Sequence, residues 1–122
     1  MEVKRGDIVL MVVHGELGRP RPGIIVQSDE LGDATTTVLA CPLSSDVAGV
    51  RDPRLRPVIE PDTANGLRIR SQIMTDKLFA QRRERVREVI GAIDDETGRR
   101  LDTALLVEPA ARFIVACAAL GE

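Results

Sequence analysis

Aromatic side chains are almost missing from this 122-residue chain: Phe79 and Phe113 make up its 2%, and it has no Trp or Tyr. That argues against a function that stacks several nucleic-acid bases on an aromatic sheet. Histidine occurs once, as His14. One imidazole can build neither a His-based metal site nor a multi-histidine proton relay. Cys41 and Cys117 stand far apart without CxxC spacing, which supports neither a zinc site nor a disulfide framework. Both read as small buried apolar residues in a reducing cytosol. No tight Asp/Glu cluster invites carboxylate-bound Mg²⁺, so the chemistry expected is free of metal and cofactor. No run approaches the roughly 18 apolar residues that cross a bilayer. Lys4, Arg5 and Asp7 interrupt any leader-like stretch near the start, so a cytoplasmic protein with no membrane partner is expected.

Lysine is scarce as well. Of 17 basic residues only Lys4 and Lys77 are lysine, and the other 15 are arginine. The planar guanidinium suits phosphate and carboxylate, although Arg-for-Lys usage also follows genomic base composition. Against 19 acidic residues the net charge is −2, which rules out a strongly basic nucleic-acid coat but leaves room for a local basic patch.

The chain does have aliphatic residues in quantity, at 43% hydrophobic overall, enough for the packed core of one domain spanning 1–122. Six of the seven prolines lie between Pro20 and Pro61, a stretch that cannot hold a long helix. Strand-like runs bounded by Gly, Pro, Asp or Ser fall at 8–13, 23–27 and 35–41. A shorter run at 57–60 follows, then one at 66–74 with Leu67, Ile69 and Ile73 alternating onto one face, and another at 86–93. After Asp94-Asp95 the period changes. Leu101, Ala104 and Leu105 take helical spacing, Asp94 or Asp95 can cap the N-terminus, and Glu96 sits in the first turn. Pro109 should break or kink this helix, with 110–120 a second apolar piece. The expected fold is mainly β: a small antiparallel barrel over about 1–93, carrying a C-terminal helical segment over about 94–120.

Three segments carry candidate chemistry. The loop at 15–22 holds Glu16, Arg19 and Arg21, with Pro22 keeping Arg21 extended at a strand edge. A carboxylate beside a rigid guanidinium can take the proton of an attacking hydroxyl and stabilise a charged pentacoordinate phosphorus. The same loop also reads as a solvated surface turn. At Pro42-Leu43-Ser44-Ser45-Asp46 a hydroxyl could bond a phosphate oxygen, or simply close an ordinary turn. A serine nucleophile is disfavoured, because no G-x-S-x-G elbow exists. Lys77 to Arg87, with Arg82, Arg83, Arg85 and Arg87, reads as a phosphate-facing rim or a solvated loop offset by Glu84 and Glu88.

Taken in order, these pieces resemble the MazF/PemK family of toxin endoribonucleases. The matching segments are Lys4-Arg5-Gly6-Asp7-Ile8-Val9, Gly15-Glu16, Arg21-Pro22 leading into 23–29, 37–45, Ser71-Gln72-Ile73-Met74-Thr75-Asp76-Lys77-Leu78, Ile90-Gly91-Ala92-Ile93 and the helix after Asp94. They cover about residues 3–107. No single segment is specific; the ordered set is. The resemblance implies an SH3-like barrel of the CcdB/PemK type, a homodimer, a MazE-like antitoxin partner and metal-independent cleavage of single-stranded RNA. That cleavage runs through the ribose 2′-hydroxyl to a 2′,3′-cyclic phosphate and a 5′-hydroxyl. It places the catalytic arginine on Arg21 rather than Arg19, the loop acid on Glu16 and the catalytic hydroxyl on Ser44, a role that a one-residue slip moves to Ser45. It implies RNA contacts from Arg19, Ser45, Gln72, Asp76 and Lys77. Serine stands where the family has threonine, so the methyl that restricts the rotamer is lost. The tail from Glu108 to Glu122 extends past the family's usual single helix. A gyrase-poisoning toxin of the CcdB type, or an inactive binding barrel of the same fold, is the alternative.

Overall fold

The computed structural model describes residues 2–12, 19–50 and 52–107. Seven strands run β1 (Asp7–Val12), β2 (Pro20–Ile25), β3 (Thr37–Ser44), β4 (Val58–Ile59), β5 (Ser71–Ile73), β6 (Phe79–Arg82) and β7 (Val86–Ala92), and helix α1 (Asp95–Val107) follows. All the pairings are antiparallel. The sheet order is β4-β5-β3-β2-β1-β7, with β6 on the N-terminal half of β3. Extra residues in β7 break its register with β1 twice, and such bulges bend a strand. The sheet curls into a half-barrel. Across its opening the Gln81 side chain of β6 donates to the Val12 carbonyl of β1 at 3.2 Å.

The central strands are continuous apolar runs because both their faces are buried. Ile8, Ile24, Val26, Cys41 and Leu43 form one cluster with Ile59, Ile73 and the helix residue Leu101. Val9, Met11, Ile25, Val38, Ala40 and Val86 form the other, with Val3 and Phe79 packed against it. Each fully buried aliphatic side chain contributes about 1.5–3 kcal/mol relative to exposure. Asp94 caps α1, its carboxylate accepting from the Thr97 amide at 2.8 Å. Hydrogen bonds from the Thr97 side chain first, and then from that amide, hold the carboxyl below its usual range. Leu101 and Ala104 are buried and Leu105 is partly buried, the stripe expected from their spacing. The continuation past Pro109 lies outside the described residues.

Two expectations are corrected. Of the run 66–74 only Ser71–Ile73 is strand, and Ile69 is 60% exposed. β5 finds neighbours only at Leu43, Ser44, Val58 and Ile59, and without a ladder the preceding residues turn instead. Gly66, at φ +71, closes the turn at 63–65 ahead of them, its amide donating to the Asp62 carbonyl, and a Cβ there would strike the Ile90 carbonyl of β7. Conversely, the stretch 77–87 is not all loop. Phe79–Arg82 is a strand on β3 with Gln81 buried, and the Arg83 guanidinium is pinned at 2.6 Å to each of the Thr35 and Gly32 carbonyls.

Candidate active site

The β2–β3 ladder pairs Ile25 with Ala40, Ile24 with Cys41 and Gly23 with Pro42. Arg21 and Ser44 lie two residues beyond its last pair, one on each strand. By the two-residue period of a strand both share the face of Gly23, Ile25 and Ala40, the side of the second apolar cluster. Ser44 is in turn opposite Gln72, and Gln72 opposite Val58. Arg21, Ser44 and Gln72 therefore form a polar row across β2, β3 and β5. Pro22 serves this row directly: it takes a ladder position opposite Leu10 and keeps the chain extended through Arg21, which is opposite Met11.

Exposure separates the members of the row. Arg21 is exposed and Ser44 half-buried, while Gln72 is buried at 6%. The Ser44 hydroxyl accepts from the Asp46 amide at 3.2 Å, and Gln72 Nε2 donates to the Asp46 carbonyl at 2.5 Å. Gln72 Oε1 accepts from Arg56 Nη1 at 3.4 Å. Arg56 then grips both oxygens of Asp76, Nε at 2.9 Å and Nη2 at 2.6 Å. That bidentate bond is the main reason the Asp76 carboxyl is held below its usual range.

Of the other expected site residues, Arg19 and Ser45 are exposed beside Arg21 and Ser44, and Lys77 is exposed in the short 3-10 helix Thr75–Lys77 that also holds Asp76. Glu16 and His14 lie outside the described residues. Among the described residues no group of three or more His, Cys, Asp or Glu is arranged to hold a metal ion, and no helix is long and apolar enough to cross a membrane. Arg56 was not among the residues singled out from sequence. Only its place in the proline-bounded segment Pro53-Arg54-Leu55-Arg56-Pro57 marked it, and nothing local links that segment to Gln72 and Asp76.

A curled antiparallel half-barrel sheet with, among the described residues, one α-helix is the fold of a known class of toxins. Among solved structures the chain resembles a Mycobacterium tuberculosis toxin, MazF-mt6, at TM-score 0.67 and 19% identity over 80% of this chain and 90% of that one. It also resembles an endoribonuclease solved in complex with its cognate antitoxin from a mycobacterial species, at TM-score 0.66 and 18% identity, covering 84% and 89%. A probable endoribonuclease MazF of Mycolicibacterium smegmatis is 36% identical over 106 residues, which is 86% of this chain and 94% of that protein. Residues 4–107 match the family of PemK-like, MazF-like toxins of type II toxin–antitoxin systems, and the chain belongs to that family.

Proposed function

We propose that this MazF-type toxin is a metal-independent endoribonuclease that cuts single-stranded RNA such as mRNA at a short sequence in the cytoplasm. The observation that carries the reading is the shared face of Arg21 and Ser44 at the open end of β2 and β3. The relative of 36% identity, named a probable endoribonuclease, supports it. In this mechanism Glu16 accepts the proton of the ribose 2′-hydroxyl, whose oxygen attacks the adjacent phosphorus. Arg21 stabilises the charge on the pentacoordinate phosphorus, and the Ser44 hydroxyl donates to a non-bridging oxygen. The 5′ oxygen leaves and takes up a proton from water, and the 2′,3′-cyclic phosphate remains. Arg19, Ser45 and Lys77, all exposed around the row, hold the flanking strand.

The test is incubation of the purified chain with a long single-stranded RNA in EDTA, followed by end-group analysis. Cyclic-phosphate and 5′-hydroxyl ends are expected. Activity that vanishes in EDTA and returns with Mg²⁺ refutes the mechanism. The partners proposed are a cognate MazE-like antitoxin and a second copy of the chain. An antitoxin complex among the structural relatives supports the first. For the second, Leu106 on α1 is 79% exposed and Val89 on the edge strand β7 is 38% exposed, apolar surface that a dimer would cover. Light scattering at micromolar concentration should give twice the 13.3 kDa chain mass; the mass of one chain refutes the dimer.

A further inference from the structure

We propose that Arg56 is a positioning residue of the active site, holding Gln72 so that the Ser44 hydroxyl is aimed as a hydrogen-bond donor at the scissile phosphate. The proposal rests on the endoribonuclease reading above and deepens it.

The geometry runs in one unbroken chain of hydrogen bonds. A bidentate guanidinium on a carboxylate is a planar fork with little freedom, so Asp76 fixes the plane of Arg56. The backbone around Arg56 is tied on both sides: the Thr75 hydroxyl donates to the Leu55 carbonyl, and the Ile73 amide donates to the Pro57 carbonyl at 2.8 Å. The remaining arm, Nη1, donates to Gln72 Oε1. This settles which end of the Gln72 amide points which way. With its oxygen toward Arg56, the Gln72 nitrogen must face the Asp46 carbonyl, which it meets at 2.5 Å. The residue after next to Ser44 is thereby anchored through its carbonyl. Its amide is then placed against Ser44 Oγ at 3.2 Å.

The last bond decides the chemistry. A hydroxyl has one hydrogen and two lone pairs. Because the Asp46 N–H occupies a lone pair, the Ser44 hydrogen is left to donate elsewhere, on the face that Ser44 shares with Arg21. A phosphate oxygen between Arg21 and Ser44 offers only acceptors, so it takes up that hydrogen while the Asp46 amide holds the hydroxyl oxygen from the other side. Gln72, buried with both ends of its amide engaged, acts in this scheme through Asp46 and Ser44 rather than by touching a base.

The experiment is a double-mutant cycle with two readouts. Cleavage is followed under single-turnover conditions on a long single-stranded RNA. Affinity is measured for an oligonucleotide spanning the mapped cut with a 2′-deoxy residue there, which binds but cannot react. Arg56→Ala should slow cleavage about 10- to 100-fold while changing affinity less than about 3-fold. Arg56→Lys should rescue little, since an ammonium cannot hold Asp76 and Gln72 together. In a Ser44→Ala background Arg56→Ala should add less than about 3-fold, because the group it aims is gone. Arg54→Ala, in the same loop with its exposed Asp52 pair, should leave both readouts unchanged.

Independently of activity, the Gln72 side-chain amide protons should lose protection from exchange in Arg56→Ala but not in Arg54→Ala. The same spectra report whether each variant is folded, and Arg56→Lys serves if the alanine variant is not. Additive losses in the cycle, an affinity loss matching the rate loss, or unchanged Gln72 protection would each overturn the proposal. Should the parent chain fail to cleave RNA, the endoribonuclease reading falls, and the exchange data still decide whether Arg56 orders Gln72.

Discussion

Replacing Arg21 by alanine separates catalysis from binding and from folding. The side chain is exposed, and it belongs to neither apolar cluster, so stability should move by no more than about 0.5 kcal/mol. Its proposed role is to meet charge that develops only as the phosphorus becomes pentacoordinate. Loss of one such group costs about 10²- to 10³-fold in rate, or roughly 3–4 kcal/mol. Binding of intact RNA should weaken much less, because Arg19 and Lys77 remain to meet its phosphates. Arg21→Lys should recover little of the rate, as an ammonium is a point charge without the two-pronged donor of a guanidinium. The assay is single-turnover cleavage beside a urea unfolding curve and a binding isotherm on the 2′-deoxy oligonucleotide. Cleavage by Arg21→Ala at the parental rate would refute the assignment. If that variant also still arrested growth in cells, toxicity through a protein target such as gyrase would be the better explanation.

Asn65 should prove a structural keystone: it is 2% exposed, its Oδ1 accepts from the Asp62 and Leu67 amides, and its Nδ2 donates to the Glu60 carbonyl. Asn65→Ala leaves those backbone groups unsatisfied and should cost about 3 kcal/mol in urea unfolding; a loss under about 1 kcal/mol contradicts this account. The Arg56–Asp76 pair should be insensitive to mild acid. Asp76 titrates below its usual value when folded, so the pair is complete above the ordinary Asp range of about 3.9 and is lost as pH falls through the lower folded value. Asp76→Asn should therefore slow cleavage by the same factor at pH 5.5 and pH 8, and a defect confined to the higher pH would show that Asp76 titrates between them.

The readability of this chain follows the range of the interactions involved. β1, β2, β3 and β7 and the Asp94-capped helix are legible because local patterns specify them: long β-branched runs, breaker residues at their ends, and an acid ahead of a helical stripe. Short strands are different. Ser71–Ile73 is a strand only because β3 and β4 flank it, and Phe79–Arg82 only because β3 lies beside it; the alternation of Leu67, Ile69 and Ile73 carries no information about those neighbours. The same distinction holds at the site. Arg21 and Ser44 are singled out by the family resemblance, because Pro22 and the end of a strand by themselves fit an ordinary turn as well. Arg56 is not, because its partners Gln72 and Asp76 are 16 and 20 residues away and meet it only through the β4–β5 pairing.

That pairing also bears on the serine that stands where the resemblance leads one to expect threonine. A β-branched threonine narrows its own rotamers, whereas serine must be oriented by its surroundings. Here the Asp46 amide, held from behind by Gln72 and Arg56, supplies the restriction that a methyl group otherwise would. Adding the methyl back therefore gains little. Ser44→Thr should cleave within about 3-fold of the parent, and Ser44→Ala should be severely impaired. In the Arg56→Ala background the order changes: threonine, carrying its own restriction, should now outperform serine by about 10-fold. Equal rates for serine and threonine in that background would mean that the hydroxyl is oriented by the bound phosphate itself, with no help from the sheet.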